Sequence, residues 1–229
     1  MQLIATDVPA SPKLPAVPYF YRRILLPTLI VLATLALLGV WLNRPAPAID
    51  LARGSHFHDA AVLASWHKGE MVVLVRHAER CDRSSNPCLA EASGITVEGS
   101  GVAGQVGDAF KRLGLANTDV YASPATRTAQ TAAFMFGKGV STQEWLHSCR
   151  TSLAHDMLVH KSAARNLVLV THSDCINELG KQLNASAAAY DSQYASALFV
   201  SVDKTTGKPQ LLGYLNADDW ATLEKSAQL

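Results

Sequence analysis

Three short stretches of this chain hold the residue types that phosphate chemistry needs. Arg76-His77 closes one apolar run, Ser123-Pro124-Ala125-Thr126-Arg127 follows a second, and Thr171-His172 closes a third. Phosphoryl transfer asks for a nucleophile in line with the leaving oxygen, positive donors on the phosphoryl oxygens, and a proton for the departing alkoxide. A neutral imidazole near pH 7 is a competent nucleophile. A guanidinium stays charged and grips phosphate with a planar fork. Arg76, His77, Arg127 and His172 are therefore the candidate site. Taken singly they mean little, because an Arg-His pair at a strand end is usually a surface pair and Arg127 alone could be a solvated helix residue. Their joint placement carries the argument.

That placement depends on the elements around them. Residues 71–75 (MVVLV) and 167–170 (LVLV) are short, β-branched and apolar throughout, the pattern of strands buried on both faces. Residues 120–122 form another short strand, and 197–202 and 210–214 two later ones, separated by the turn 205–209. Helices are predicted over 96–113, 125–136, 152–164 and 174–183. The first has Thr96 as its N-cap and Glu98 in its first turn. Its glycines, Gly99, Gly101, Gly104 and Gly107, weaken the helix but permit close packing. Alternating strands and helices imply an α/β sandwich with a mostly parallel sheet. Ligands bind beyond the carboxyl ends of such strands, and three strand ends deliver polar residues to that edge.

Composition limits the alternatives. Hydrophobic residues make up 48% of the 229 positions and charged residues 17%, with a formal net charge of +1. With no basic surface implied, nucleic-acid binding is not expected. The apolar excess is concentrated in residues 24–42, nineteen positions without a charge. As a helix they would span about 28 Å, close to the hydrocarbon core of a bilayer. Pro27 near the start and Trp41 near the end suit a transmembrane helix. Lys13, Arg22 and Arg23 before the segment, against Arg44 and Arg53 after it, put the N-terminus in the cytoplasm. Ala46-Pro47-Ala48 resembles a cleavage site, so a removed signal segment competes with a retained anchor. The length of the apolar run and the polar arm before it favour the anchor.

The organisation expected is then a disordered arm over 1–23, which carries Pro9, Pro12, Pro15 and Pro18, an anchor over 24–42, a linker over 43–54 and one globular domain over 55–229. All four cysteines, Cys81, Cys88, Cys149 and Cys175, follow the anchor. An even set beyond a membrane segment suits an oxidising compartment, though spacing alone also allows four reduced thiols. Cys81 and Cys88 flank a polar turn. A bridge there would stabilise by roughly 2–3 kcal/mol and leave Cys149 and Cys175 as the second pair. With no Cys-x-x-Cys or His-x-x-x-His pair, no metal site is expected, and no cofactor is implied.

The stretch Leu74-Val75-Arg76-His77-Ala78-Glu79-Arg80 resembles the first signature of the histidine phosphatase superfamily. Ser123-Pro124-Ala125-Thr126-Arg127-Thr128-Ala129-Gln130-Thr131-Ala132 is similar to its second motif and Val170-Thr171-His172 to its third. Ile95-Thr96-Val97-Glu98-Gly99 is similar to a segment that lies between the first two. The four stand in the family's order and cover about residues 70–215. The resemblance implies a three-layer αβα sandwich of the phosphoglycerate mutase type. It makes His77 the phosphate-accepting nucleophile, with Arg76, Arg127 and His172 around the phosphoryl group and Arg80 as a further substrate-binding arginine. Ala78 replaces the family's usual glycine. For the proton donor, members with this second motif carry a glutamate downstream, which points to Glu144. Other members have an aspartate directly after the second histidine, and Asp174 sits one residue later than that. Glu144 is the first choice. Glu79 is read as structural, and His56, His58, His67, His147, His155 and His160 as incidental.

The run from Arg76 to Leu89, with Cys81 and Cys88 inside it, resembles an exported branch of the superfamily that acts on the lipopolysaccharide core. Cys175, just past the second histidine, also matches that branch. The resemblance implies a periplasmic phosphomonoesterase with a lipopolysaccharide-core heptose phosphate as substrate. A phosphatase for other phosphoesters or phosphoproteins is the alternative within the same chemistry. A silent phosphate-binding module is the alternative outside it.

Overall fold

The computed structural model describes residues 19–42, 48–149, 152–183 and 192–225. The chain divides between Arg44 and Pro45 into two compact units. The first contains one 24-residue helix, α1 (Tyr19–Leu42), with Pro27 inside it. The helix thus begins before residue 24, inside the stretch read as a disordered arm, while 1–18 lie outside the described residues. Among the described residues no helix is long and apolar enough to cross a membrane.

The second unit is built on a six-stranded sheet in the order β3-β2-β4-β1-β5-β6. The strands are β1 (Met71–Arg76), β2 (Thr118–Ala122), β3 (Ser141–Thr142), β4 (Asn166–Thr171), β5 (Ala197–Val202) and β6 (Pro209–Leu215). β1 pairs in parallel with β4, as β4 does with β2 and β2 with β3. β5 runs antiparallel to β1 and β6 antiparallel to β5. The sheet is therefore mixed: β5 runs against β1, and the tight hairpin turn at residues 203–208 sets β6 against β5.

Helices cover both faces: α2 (His56–Asp59), α3 (Val62–His67), α4 (Val97–Leu113), α5 (Thr126–Phe136), α6 (Leu153–His160), α7 (Ser173–Gln182) and α8 (Asp219–Lys225). The apolar strands have no solvent face, so successive residues feed opposite cores. Val73, Val75, Val168 and Val170 pack with Phe110 of α4, Met135 of α5 and Trp220 of α8. Val72, Leu74, Leu167 and Leu169 pack with Met157 of α6 and Ile176 and Leu179 of α7. This is a three-layer sandwich. Each fully buried Val or Leu contributes about 1.5–3 kcal/mol.

Two glycines set close approaches. A Cβ on Gly107 would lie 2.3 Å from the Met135 carbonyl oxygen, so the helix-weakening glycine is what lets α4 and α5 touch. Gly213 has φ +152° and would place a Cβ 2.4 Å from the Ile49 carbonyl oxygen. There residues 49–51 join the edge of the sheet: Leu51 N–H donates to the Tyr214 carbonyl at 3.0 Å, and Leu51 is fully buried. Packing thus starts inside the segment read as a linker. Residues 43–47 lie outside the described residues. Helix α6 stops at His160, four residues short of the predicted end, and Ala164 has φ +55° in the turn that leads to β4.

Candidate active site

Three adjacent strands end at one place. His77 follows β1, and its N–H donates to the Thr171 carbonyl at the end of β4 (2.9 Å). The Ser123 N–H, just past β2, donates to the Val170 carbonyl (2.9 Å). His172 follows β4 directly and caps α7. Because β4 lies between β1 and β2, His172 lies between His77 and Ser123. Arg127 stands in the first turn of α5, and Ala78 N–H donates to Thr131 Oγ1 of that helix (2.9 Å). Ala78 is fully buried and its φ is not left-handed, so alanine serves where the family has glycine.

The hydrogen bonds fix both histidine tautomers. His77 Nδ1 lies 2.8 Å from the Ala78 carbonyl, which can only accept. The proton is therefore on Nδ1, and Nε2 carries the free lone pair. His172 Nδ1 lies 3.1 Å from an Arg127 nitrogen, which can only donate. His172 therefore holds its proton on Nε2, 2.9 Å from Ser123 Oγ. Burial, above all, lowers the His77 pKa from 6.5 to about 3, and the nearby cationic and imidazole groups add to the effect. Burial and Arg127 together lower His172 to about 4. Both imidazoles are neutral at pH 7.

The cavity over these residues is about 420 Å³ and is lined by four arginines, Arg76, Arg80, Arg83 and Arg127. The only carboxylate lining it among the described residues is Asp174. Arg80 is paired with Asp82, with Nε to Oδ1 at 2.8 Å. Arg127 Nε is buried with no hydrogen-bond partner among the described residues. Desolvation, then the repulsion of Arg80, lowers the pKa of Arg127, though it stays charged. α7 has no side-chain cap, so its first N–H groups join this positive field. The arrangement can hold a tetrahedral oxyanion over His77 Nε2.

Two loops form the rim. Cys81 is bonded to Cys88 and Cys149 to Cys175, with Cα–Cα distances of 5.1 and 4.9 Å. The first bridge closes the Arg80–Arg83 turn. Glu79 supports that loop as a structural acceptor, taking hydrogen bonds from Ser84, Asn86 and Thr96 Oγ1. The second bridge ties the segment after Leu146 to the first turn of α7.

Of the residues read from the sequence, Arg76, His77, Arg80, Arg127 and His172 converge on the cavity, as do Cys149 and Cys175, and Glu144 does not. It is exposed at the start of a 3-10 turn, Glu144–Leu146, whose last residue is fully buried. The chain reaches the cavity only after Leu146, through His147, Ser148 and Cys149. Asp174, the second choice, lines the cavity instead. His147 was read as incidental, yet it lines the cavity with its ring 5.9 Å from that of His172. Arg83 and Tyr194 were also missed. Arg83 could have been found from the disulfide loop that carries it, but nothing around Tyr194 signals its place.

A sheet that presents two neutral histidines and an arginine at neighbouring strand ends, inside a cage of arginines, defines a phosphatase of the histidine type. No family model matches the chain. It is 35% identical over 181 residues, 78% of its length and 85% of the relative's, to a lipopolysaccharide core heptose(II)-phosphate phosphatase of Salmonella typhi. Against the protein of the same name from Escherichia coli O139:H28, identity is 37% over 194 residues, 81% of this chain and 89% of that one. In fold it resembles a phosphoserine phosphatase mutant of Entamoeba histolytica (TM-score 0.52, 14% identity, 65% of this chain and 98% of that one). It likewise resembles the protein histidine phosphatase SixA in complex with tungstate (TM-score 0.51, 12% identity, 65% and 98%). The chain belongs to the family of lipopolysaccharide core heptose(II)-phosphate phosphatases.

Proposed function

We propose that this phosphatase works through a phosphohistidine on His77 and removes phosphate from a heptose of the lipopolysaccharide core. The observation that carries the mechanism is the hydrogen bond from His77 Nδ1 to the Ala78 carbonyl, which leaves Nε2 as a buried, unprotonated nucleophile. Nε2 attacks phosphorus, and the N–P bond forms as the ester P–O bond breaks. Arg76 and Arg127 hold the phosphoryl oxygens, with Arg80 at the rim, and His172 orients Arg127 by accepting from it at Nδ1. The leaving alkoxide takes a proton from Asp174. Water then attacks the phosphohistidine, returns a proton to Asp174 and releases phosphate. The substrate follows from the names of the curated relatives.

The catalytic unit works on the periplasmic face of the inner membrane, held there by α1. Support comes from the uncharged run 24–42 and from the many large apolar side chains that α1 exposes, among them Leu29, Leu32, Leu37 and Trp41. Cleavage after Ala48 would leave the same unit free in the periplasm. The two disulfides suit either outcome.

The direct test is to incubate the full-length protein with a labelled aryl phosphate and quench in base. An alkali-stable, acid-labile phosphoryl group on the wild type and none on His77→Ala is the expected result. Turnover without label on the wild type would remove the covalent mechanism. Unchanged core phosphate in cells lacking the gene would remove the substrate assignment. Extraction of the protein from membranes by alkaline carbonate would remove the anchor.

A further inference from the structure

A second cavity, of about 460 Å³, adjoins the first along Arg76, which lines both. Its walls are Glu79 and Asn86 after the nucleophile, Glu98 on the first turn of α4, the strap Ser192–Tyr194 before β5, and Asp218 before α8. Arg76 fastens the strap by donating to the Ser192 carbonyl and lying 4.1 Å over the Tyr194 ring. Tyr194 is also 5.7 Å, ring to ring, from His77. The second cavity therefore begins within one side chain's reach of the nucleophile.

Three features say what it takes. Ser192 is 2% exposed and its Oγ has no hydrogen-bond partner among the described residues. A buried hydroxyl without a partner is costly, and a ligand hydroxyl would relieve that cost. Glu98, Gln193 and Asp218 are exposed, and their side chains make no hydrogen bond or ion pair within the described chain. Three carboxylates, Glu79, Glu98 and Asp218, face one cation, Arg76. A second anionic group on the substrate would be repelled, and an acyl chain would leave these polar groups unpaired. A neutral ring dense in hydroxyls, each both donor and acceptor, satisfies them. The half-buried Tyr194 ring offers an apolar face beside it.

We infer that this cavity is the leaving-group subsite, and that it takes a neutral polyhydroxylated sugar ring through Ser192, Glu98, Gln193 and Asp218. The inference rests on the reading of the first cavity as the phosphate site. The test compares two substrates on the full-length protein in detergent. One is an aryl phosphate, whose leaving group carries no hydroxyl. The other is a delipidated lipopolysaccharide core oligosaccharide phosphorylated on heptose. In the double variant Glu98→Gln/Gln193→Ala, kcat/KM for the oligosaccharide should fall at least tenfold further than for the aryl phosphate, mainly through KM. Aryl phosphate turnover doubles as the check that the variant is folded. A ratio within twofold of wild type would overturn the subsite. So would wild-type hydrolysis of the aryl phosphate with no phosphate released from the oligosaccharide. Failure of the wild type on both substrates would instead sink the phosphatase reading beneath it.

Discussion

His77 and His172 stand at the ends of strands buried on both faces, whereas Arg80, Arg83 and His147 stand on segments that the sheet does not hold. The first pair is fixed by ladder hydrogen bonds that continue past the strand ends, such as His77 N–H to the Thr171 carbonyl. The second group depends on two disulfides and a few loop contacts for its position. The floor of the site thus draws its geometry from the hydrophobic core, and the rim draws its geometry from covalent staples. The difference matters because catalysis tolerates little displacement, and the two regions should fail in different ways.

The largest effect is expected on the floor. His77→Ala should cost at least about 10⁴-fold in turnover, and Arg127→Ala about 10²–10³-fold in kcat. Both should leave the unfolding temperature near wild type or higher, since each relieves buried polar groups. Steady-state kinetics and a thermal melt check this together. A melt that collapses with activity would mean these residues hold the fold, not the chemistry. Asp174→Asn should lower kcat about 10²-fold for a poor leaving group and much less for an aryl phosphate. Glu144→Gln should stay within twofold on both. The reverse ranking would restore Glu144 as the acid.

Opening the staples should lower stability and activity together. Cys149 and Cys175 are 26 residues apart and Cys81 and Cys88 seven. On the loop-entropy relation the Cys149–Cys175 bridge contributes about 3.5 kcal/mol and the Cys81–Cys88 bridge about 2.5 kcal/mol. Cys149→Ser/Cys175→Ser should therefore lose more stability in denaturant, and also turnover, because its loop carries His147 into the cavity. Wild-type activity in both double variants would erase the distinction between floor and rim.

Stability should also respond to pH. An unfolded histidine binds a proton near pH 6.5, while folded His77 and His172 do so only at about 3 and about 4. Below pH 6.5 the unfolded state therefore holds more protons than the folded one, and stability falls as pH drops from 7 toward 4. Neither imidazole should titrate between pH 5.5 and 8 in an NMR experiment. A midpoint near 6.5 for His77 would show that its site is wetter than the geometry implies.

The same division explains what the sequence revealed. Residues 71–75 and 167–170 announce buried strands because every side chain is apolar, and the histidines follow at fixed offsets. The cap Thr96 is legible because its hydroxyl accepts from Gly99 N–H, a purely local bond. The direction of β5 is not legible, since an apolar strand reads the same either way. Short elements such as α2 and β3 have too few residues to show a period. Glu144 falls outside the cavity because sequence distance from a motif does not say where a 3-10 turn will aim its residues. His147 went unread because its place comes from a bridge to a cysteine 26 residues beyond its own loop.

Arg127 keeps its Nε out of water without a partner among the described residues. The cost of drying that group is met during folding, before any substrate arrives, so an oxyanion binds to a guanidinium already stripped for it. Inorganic phosphate is such an ion, and it is also what the reaction leaves behind. The feature that speeds capture therefore slows departure: the protein should be restrained by its own product, and its turnover set by how fast phosphate is carried away.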